Sequence, residues 1–365
     1  MGTAQHTLSG TDYTDPNVFA RERDTILYRE WFYVARADTI ANAGQWLTVD
    51  IAGESILVIR GRDDRLRAFY NVCRHRGSLL CEGESGQAKS TIRCNYHAWC
   101  YDYDGALVAT PKVEEGEVDP SQLALSPVHV DVWEGFLFVN LDRNKPRPLR
   151  DAIGENYDEP LAFERFNLGE LAIGARTVNE VDANWKIVIE NYNECLHCST
   201  VHPELVEVMP LYRTGWVAEE GRTDGGTSLA DGGTGYTQDG RSRLAVLPGR
   251  TDIEAHSVYG GTLYPNMFLD LAPTVAIATS ILPISPTKTK IITEYLFHPD
   301  EIAKPDFDPS DVVNFSELVA SQDYMVCQWV QRGVSSRAFT HGYLAEKDKY
   351  VAEFNNRYRA DMARG

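Results

Sequence analysis

NVCRHRG, residues 71–77, and CNYHAWCYDYDG, residues 94–105, carry one pattern twice. Each stretch supplies one cysteine and one histidine: Cys73-x-His75, a gap of 18 residues, then Cys94-x-x-His97. Zinc sites of the common kind draw a Cys-x2–4-Cys pair from one segment and a His-x3–5-His pair from another. Here the two ligand types are mixed within each segment. Bringing the segments together can therefore set two thiolates on one metal and two imidazoles on another. Asp104–Gly105 marks a turn after the second stretch.

That division of ligands is what a [2Fe–2S] cluster of the Rieske type requires: one iron on two cysteines, the other on two histidines. The surrounding chain suits a small β-rich domain. QWLTVDI, ESILVIRG, LRAFYNV, TIRC and EGFLFVNL, between about Gln45 and Leu141, are rich in β-branched and aromatic residues and punctuated by glycine and aspartate. Cys81 and Cys100 fall outside the pattern and read as small buried residues.

From about Pro148 the texture changes. DANWKIVIENYNECLHCSTV has helical apolar periodicity. GGTLYPNMFLDLAPTVAIATSILPISPTKTKIITEYLFHP reads as an antiparallel meander. DPSDVVNFSELVASQDYMVCQWVQRGV reads as a long helix, capped by Asp308 or Ser310 and ending near Gly333. The polar, glycine-rich stretch 219–243 reads equally as a mobile loop beside the site or as a disordered surface insertion with no role in it. Within ENYNECLHCSTVHPEL, residues 190–205, Glu194 and His197 share a helical face, and His202 follows before Pro203. His197 and His202, with a carboxylate from elsewhere, would make a two-histidine-one-carboxylate triad, which leaves positions open for dioxygen on ferrous iron. Zinc through Cys195 and Cys198 fails on helical direction: Cys198 sits about 100° and Cys195 about 200° around the axis from His197.

Bulk properties narrow the classes. The chain has 365 residues and a formal charge of −18. Such a balance argues against nucleic-acid and anionic-lipid partners; solubility alone explains it, and it also suits a cationic substrate or a basic partner protein. No apolar run approaches the ~20 residues that span a bilayer. The N-terminus has no signal-peptide pattern, so a cytoplasmic location is expected. The seven cysteines, odd in number, are then expected to be reduced. NVFARERDTILYREWFYVA, near the N-terminus, reads as a docked amphipathic helix. No nucleotide fingerprint is visible.

NVCRHRG followed by CNYHAWCYDYDG closely resembles the Rieske domain of Rieske-type non-haem iron oxygenases, with Asn95 where the family usually has proline. ENYNECLHCSTVHPEL resembles the iron-binding stretch of the same family, and SQDYMVCQWVQRGVSSRAF its late helix. The resemblance runs from DPNVF to QRGV. It implies an α+β fold: a β-rich Rieske domain and a helix-grip-like catalytic domain whose antiparallel sheet is covered by helices. The implied boundaries are 1–40 for an N-terminal helical segment packing on the catalytic domain, 41–147 for the Rieske domain and 148–365 for the mononuclear iron domain. The resemblance maps Cys73, His75, Cys94 and His97 onto the cluster and His197, His202 and Asp323 onto Fe(II). It maps Glu194 onto the acid that bridges the two centres, here between His197 and a neighbouring subunit's cluster histidine. Gln328, Gln331, Arg332 and Gly333 fit the late-helix pattern, whereas Asp311 and Glu317 read as solvated.

The implied activity is oxygenation with O2 and electrons from a separate flavin and iron–sulfur reductase, in a homotrimer. The glutamate at 194 and the QRGVSSRAF ending resemble the choline, carnitine and glycine betaine branch. A quaternary ammonium substrate is therefore expected, with Tyr192, Tyr212, Trp216, Tyr264 and Phe268 as candidate pocket residues that could cage its head. An aromatic-ring hydroxylating oxygenase acting on a small arene or aromatic acid is the alternative. A Rieske electron carrier would need no second iron site, and a structural zinc protein would be colourless.

Overall fold

The computed structural model describes residues 5–156 and 160–364. Its contacts divide the chain into two compact units, Leu27–Ala152 and Met1–Ile26 with Ile153–Gly365.

The Leu27–Ala152 unit is built on a seven-stranded antiparallel sheet. Its strand order is Phe32–Arg36, Phe136–Asn140, Pro127–Trp133, Leu66–Tyr70, Glu54–Arg60, Gln45–Ile51 and Ser85–Gln87. A three-stranded sheet, Ile92–Arg93, Cys100–Tyr101 and Leu107–Ala109, accompanies it. The strands expected from β-branched and aromatic content are present. One expectation is corrected. The stretch 17–35 is not a single helix: helix Pro16–Glu22 passes into a π-helical turn at Arg23–Leu27, and Phe32–Arg36 is a strand paired with Phe136–Asn140. Trp31, Phe32 and Tyr33 are consecutive and all buried. This edge strand is covered on both faces, whereas a surface helix buries one stripe.

The second unit carries a six-stranded antiparallel sheet, in the order Ala172–Val181, Lys288–Phe297, Val275–Ser285, Met267–Ala272, Ser257–Leu263 and Thr227–Ser228. The expected meander is its centre. The long helix, Ser310–Val334, packs Val312, Phe315 and Val319 against Ile277, Tyr295 and Phe297 of the sheet. The N-cap position falls on Pro309, not on the expected Asp308 or Ser310; the Asp308 carboxylate, one residue earlier, accepts the Ser310 N–H at 3.0 Å. Glu317 is not solvated. It accepts hydrogen bonds from Thr177, Asn179 and Tyr295, which tie the helix to the sheet. Asp311 likewise has one carboxylate oxygen buried.

Helix Trp185–Tyr192 starts at Asn184, whose side chain accepts the Lys186 N–H at 2.9 Å. The same asparagine donates to the Pro286 carbonyl at 2.7 Å, and its backbone N–H donates to Gln331 Oε1 at 2.8 Å. Gln331 thus ties the last turns of the long helix to the start of this one. Beneath them, Lys186 Nζ lies 2.5 Å from Glu22 Oε1, both side chains being 0% exposed. Trp185 Nε1 and Tyr358 Oη also donate to Glu22, at 3.0 and 2.7 Å.

Candidate metal centres and substrate cavity

The two cysteine-histidine loops share one backbone design. In the first, Cys73 N–H donates to Ser78 O at 2.8 Å and Gly77 N–H returns to Cys73 O at 3.0 Å. In the second, Cys94 N–H donates to Trp99 O at 2.9 Å and Ala98 N–H returns to Cys94 O at 3.1 Å. The closing residue is left-handed in both, Gly77 at φ 72° and Ala98 at φ 59°. The second loop therefore holds an alanine where a glycine is conformationally cheaper. Asn71 braces the first loop, its side chain accepting from Leu80 N and Cys81 N and donating to Cys81 O.

This geometry sorts the four candidate ligands by burial. Cys73 and Cys94 are 3% and 1% exposed, within a core that includes Leu57, Phe69, Trp99 and Tyr101. His75 and His97 lie at the surface side, ring centroids 4.6 Å apart, with His75 stacked on Trp99. Burial pushes the Cys94 thiol up, but the backbone N–H groups of Tyr96 and His97 outweigh it and hold the thiol below its ordinary value. The Tyr101 hydroxyl lies 3.4 Å from Cys73 Sγ. Two buried sulfurs supplied with donors and two outward imidazoles fit a [2Fe–2S] group of mixed ligation. Cys81 and Cys100 are half-buried and free.

In the other unit, the expected continuous helix through residues 185–201 breaks. It ends at Tyr192, Asn193 is buried with its side-chain oxygen accepting from Thr262 Oγ1 at 2.7 Å, and a new helical turn begins at Cys198–Val201. The angular argument about the cysteines therefore does not apply: Cys198 Sγ lies 4.0 Å from His197 Nε2. Among the described residues His197, Cys198 and His202 form the one tight group of three nitrogen, sulfur or carboxylate donors. Sulfur is removed from this set differently. Cys195 and Cys198, Cα atoms 5.0 Å apart, are joined as a disulfide, which also corrects the expectation that all seven cysteines are reduced.

What remains converges. His197 Nε2 and His202 Nε2 are 3.2 Å apart, and Asp323 Oδ1 lies 3.2 Å from the first and 2.9 Å from the second. Each imidazole is held through its other nitrogen. His197 Nδ1 is 2.6 Å from Glu194 Oε1, and His202 Nδ1 is 2.8 Å from Gln322 Oε1. Glu194 is itself fixed by the Leu196 N–H. Imidazoles anchored at Nδ1 with Nε2 aimed at a shared point fit a metal ion of the two-histidine-one-carboxylate kind. The electrostatics agree. Burial lowers His197, yet the Asp323 and Glu194 carboxylates more than offset it and bring it up to about 9. The pocket is therefore tuned to hold positive charge.

Glu194, His197, His202 and Asp323 open onto a cavity of about 540 Å³. Tyr192, Tyr212 and Phe268 line it, the rings of Tyr192 and Phe268 stacked at 3.9 Å. Trp216 and Tyr264 do not line it. Trp216 lies under Lys347, and Tyr264 packs against Phe354 and Arg357. Tyr236, Tyr259 and Asp270 are wall residues that the sequence reading missed. Tyr236 comes from the glycine-rich stretch, which also supplies Thr223, Asp224, Gly225 and Thr227. Asp270 carried a usable signal, being the one polar side chain in the strand MFLDLA, Met267–Ala272. The Tyr192 hydroxyl donates to Asp270 Oδ1 at 2.6 Å, and burial lifts the Asp270 carboxyl to about 7.

Comparison with known proteins follows the same division. Residues 30–130 match the Rieske [2Fe-2S] domain, and residues 168–364 match the ring hydroxylating alpha subunit (catalytic domain). The chain belongs to the Rieske ring-hydroxylating oxygenase alpha subunits. As a member of this oxygenase family it is an oxidoreductase whose cofactors are a Rieske [2Fe–2S] cluster and a mononuclear iron. The glycine betaine monooxygenase oxygenase subunit of Chromohalobacter salexigens is 31% identical, over 92% of this chain and 81% of the relative. The carnitine monooxygenase oxygenase subunit of Acinetobacter baumannii is 30% identical, over 90% and 85%. The crystal structure of the quaternary ammonium Rieske monooxygenase CntA with L-carnitine superposes with a TM-score of 0.78 at 25% identity, covering 98% of this chain and 96% of that one. Naphthalene 1,2-dioxygenase from Rhodococcus sp. shares the fold, with a TM-score of 0.77 at 20% identity and coverage of 98% and 94%. No helix among the described residues is long and apolar enough to cross a membrane.

Proposed function

We propose that this oxygenase subunit inserts oxygen beside the nitrogen of a small quaternary ammonium compound, leading to demethylation or C–N cleavage. The observation that carries the reading is the cavity wall. The aromatic side chains of Tyr192, Phe268, Tyr212, Tyr236 and Tyr259 line a cavity that also takes in His197, His202 and Asp323. A tetraalkylammonium head offers no N–H to donate, so aromatic faces are its natural partners. The names of the relatives support the same class.

In this reading Cys73, His75, Cys94 and His97 hold the cluster, and His197, His202 and Asp323 hold the iron. When bound, the cluster supplies single electrons and the ferrous ion supplies dioxygen activation. The chain's own contribution is positional. Glu194 keeps the His197 Nδ1–H oriented so that Nε2 faces Asp323, and Gln322 does the same for His202. The aromatic wall holds the ligand's methyl groups toward that point and excludes water. Glu194 further serves as the bridge to the His97 of a neighbouring copy in a homotrimer. The electrons come from NAD(P)H through a separate reductase carrying flavin and its own iron–sulfur centre, in the cytoplasm.

The test is oxygen uptake with a surrogate reductase and a panel of betaines, carnitine, choline and aromatic acids. Formaldehyde or amine release from a quaternary ammonium substrate is the expected result. A cis-diol or phenol from an aromatic acid, with no turnover of the ammonium compounds, would replace this reading with ring hydroxylation.

A further inference from the structure

We propose that Asp270 is the counter-ion of the substrate's cationic head, selecting a charged ligand over a neutral one of the same shape. The inference rests on the quaternary ammonium reading above and adds a specific residue to it.

Asp270 stands in the strand Met267–Ala272, whose other five residues are apolar and buried. A carboxylate in such a setting is costly unless something compensates its charge. Among the described residues the Tyr192 hydroxyl is its one hydrogen-bond partner, through Oδ1, and no lysine, arginine or histidine pairs with it. Arg165, the one guanidinium on the cavity wall among the described residues, is occupied by Glu254 and by the carbonyl oxygens of Ala162 and Asp224. Among the described residues Asp270 therefore has no cationic side chain paired directly with it.

The fold also makes room for this carboxylate. Gly260 lies directly opposite Asp270 in the neighbouring strand. A Cβ at Gly260 would stand 2.9 Å from Asp270 Oδ1 and 3.0 Å from Tyr192 Oη, so the carboxylate would have to shift and the hydroxyl to give slightly. The aromatic residues gather around the same point. Phe268, two residues away on the same face of the strand, stacks on Tyr192, and the negative charge of Asp270 contributes to raising the Tyr212 and Tyr236 hydroxyls. A carboxylate without a cationic partner, in a cavity lined by aromatic side chains, is complementary to a cation that cannot donate hydrogen bonds. It is poorly matched to an arene or to an aromatic acid, whose own charge it would repel.

The experiment compares charged ligands with their carbon isosteres by calorimetry on the iron-loaded enzyme. The pairs are choline with 3,3-dimethylbutan-1-ol and glycine betaine with 3,3-dimethylbutanoate. Wild-type enzyme is expected to bind the ammonium member of the preferred pair more tightly by about tenfold or more. Asp270→Asn is expected to remove that preference while binding of the carbon isostere is kept, which also reports an intact cavity. Asp270→Ser serves the same comparison should the asparagine variant fold poorly. Preference for the cation undiminished in the Asp270 variants would overturn the assignment and leave the substrate reading standing. Wild-type enzyme that binds neither these ammonium ligands nor carnitine would end both.

Discussion

Removing the Lys186 ammonium should expose how much of the catalytic unit rests on one buried ion pair. Lys186 and Glu22 are both 0% exposed, with Nζ and Oε1 2.5 Å apart. In Lys186→Met the aliphatic stem is kept and the charge is lost, so Glu22 is left as an uncompensated carboxylate in the core. Breaking a buried pair from one side costs about 3–5 kcal/mol. Trp185 Nε1 and Tyr358 Oη continue to donate to Glu22, which places this case at the lower end, about 3 kcal/mol. The ammonium also lies within 5.1–5.7 Å of the ring centroids of Tyr358, Trp185 and Tyr13, attraction that goes with it. For a unit of this size 1 kcal/mol moves the melting midpoint by roughly 2–4 °C, so a fall of about 6–12 °C is expected. Calorimetry of the iron-loaded protein measures it. The double variant Glu22→Gln/Lys186→Met carries no buried charge and should recover most of the loss, to within about 1 kcal/mol of wild type. A midpoint shift below about 2 °C for the single variant would refute the reasoning. So would a double variant as unstable as the sum of the two singles.

Three further outcomes follow from the same geometry. Glu194→Gln should keep three irons per chain by metal analysis yet lose about 100-fold or more in turnover, because the carboxylate that orients His197 Nδ1 is gone; normal turnover would remove Glu194 from its role. Asp323→Ala should lower the iron content from three per chain to two while the electron-resonance signal of the reduced Rieske centre is retained, since Asp323 stands between the two imidazoles of the other site. Choline affinity should depend on pH through Asp270, whose carboxyl burial holds up to about 7 in the empty cavity. The ionised form that a cation favours is present above that value, so affinity is full there and falls roughly tenfold per unit below it. The groups facing Asp270 are the Tyr192, Tyr212 and Tyr236 hydroxyls, while its partners across the strands, Gly260 and Ile277, carry no charge. A flat profile by calorimetry would contradict this.

The sites were legible in the sequence where chemistry is written into spacing. Cys73, His75, Cys94 and His97 sit on two short loops, and a mixed thiolate-imidazole set at that spacing has few other uses. His197 and His202 were legible as a pair, but Asp323, 121 residues from His202, is joined to them only by folding and was named through resemblance. The break at Asn193 was hidden because no glycine or proline marks it; a bond from Thr262, on a distant strand, helps end the helix. Trp216 and Tyr264 were misplaced for the related reason that an aromatic residue looks the same whether it lines a cavity or packs beneath a helix. The strand Phe32–Arg36 was read as helix because its run of aromatics satisfies an amphipathic period as readily as a two-sided burial pattern.

Gln331 reaches from the end of one helix to Asn184 at the start of another. That clasp helps hold the spacing of two scaffolds, one leading to the paired imidazoles and the other bearing the carboxylate, without using the strands and loops that separate them in the chain. Those intervening segments supply much of the cavity lining. Diversification of what enters the cavity can therefore proceed there by insertion or exchange, while the reactive centre keeps its dimensions.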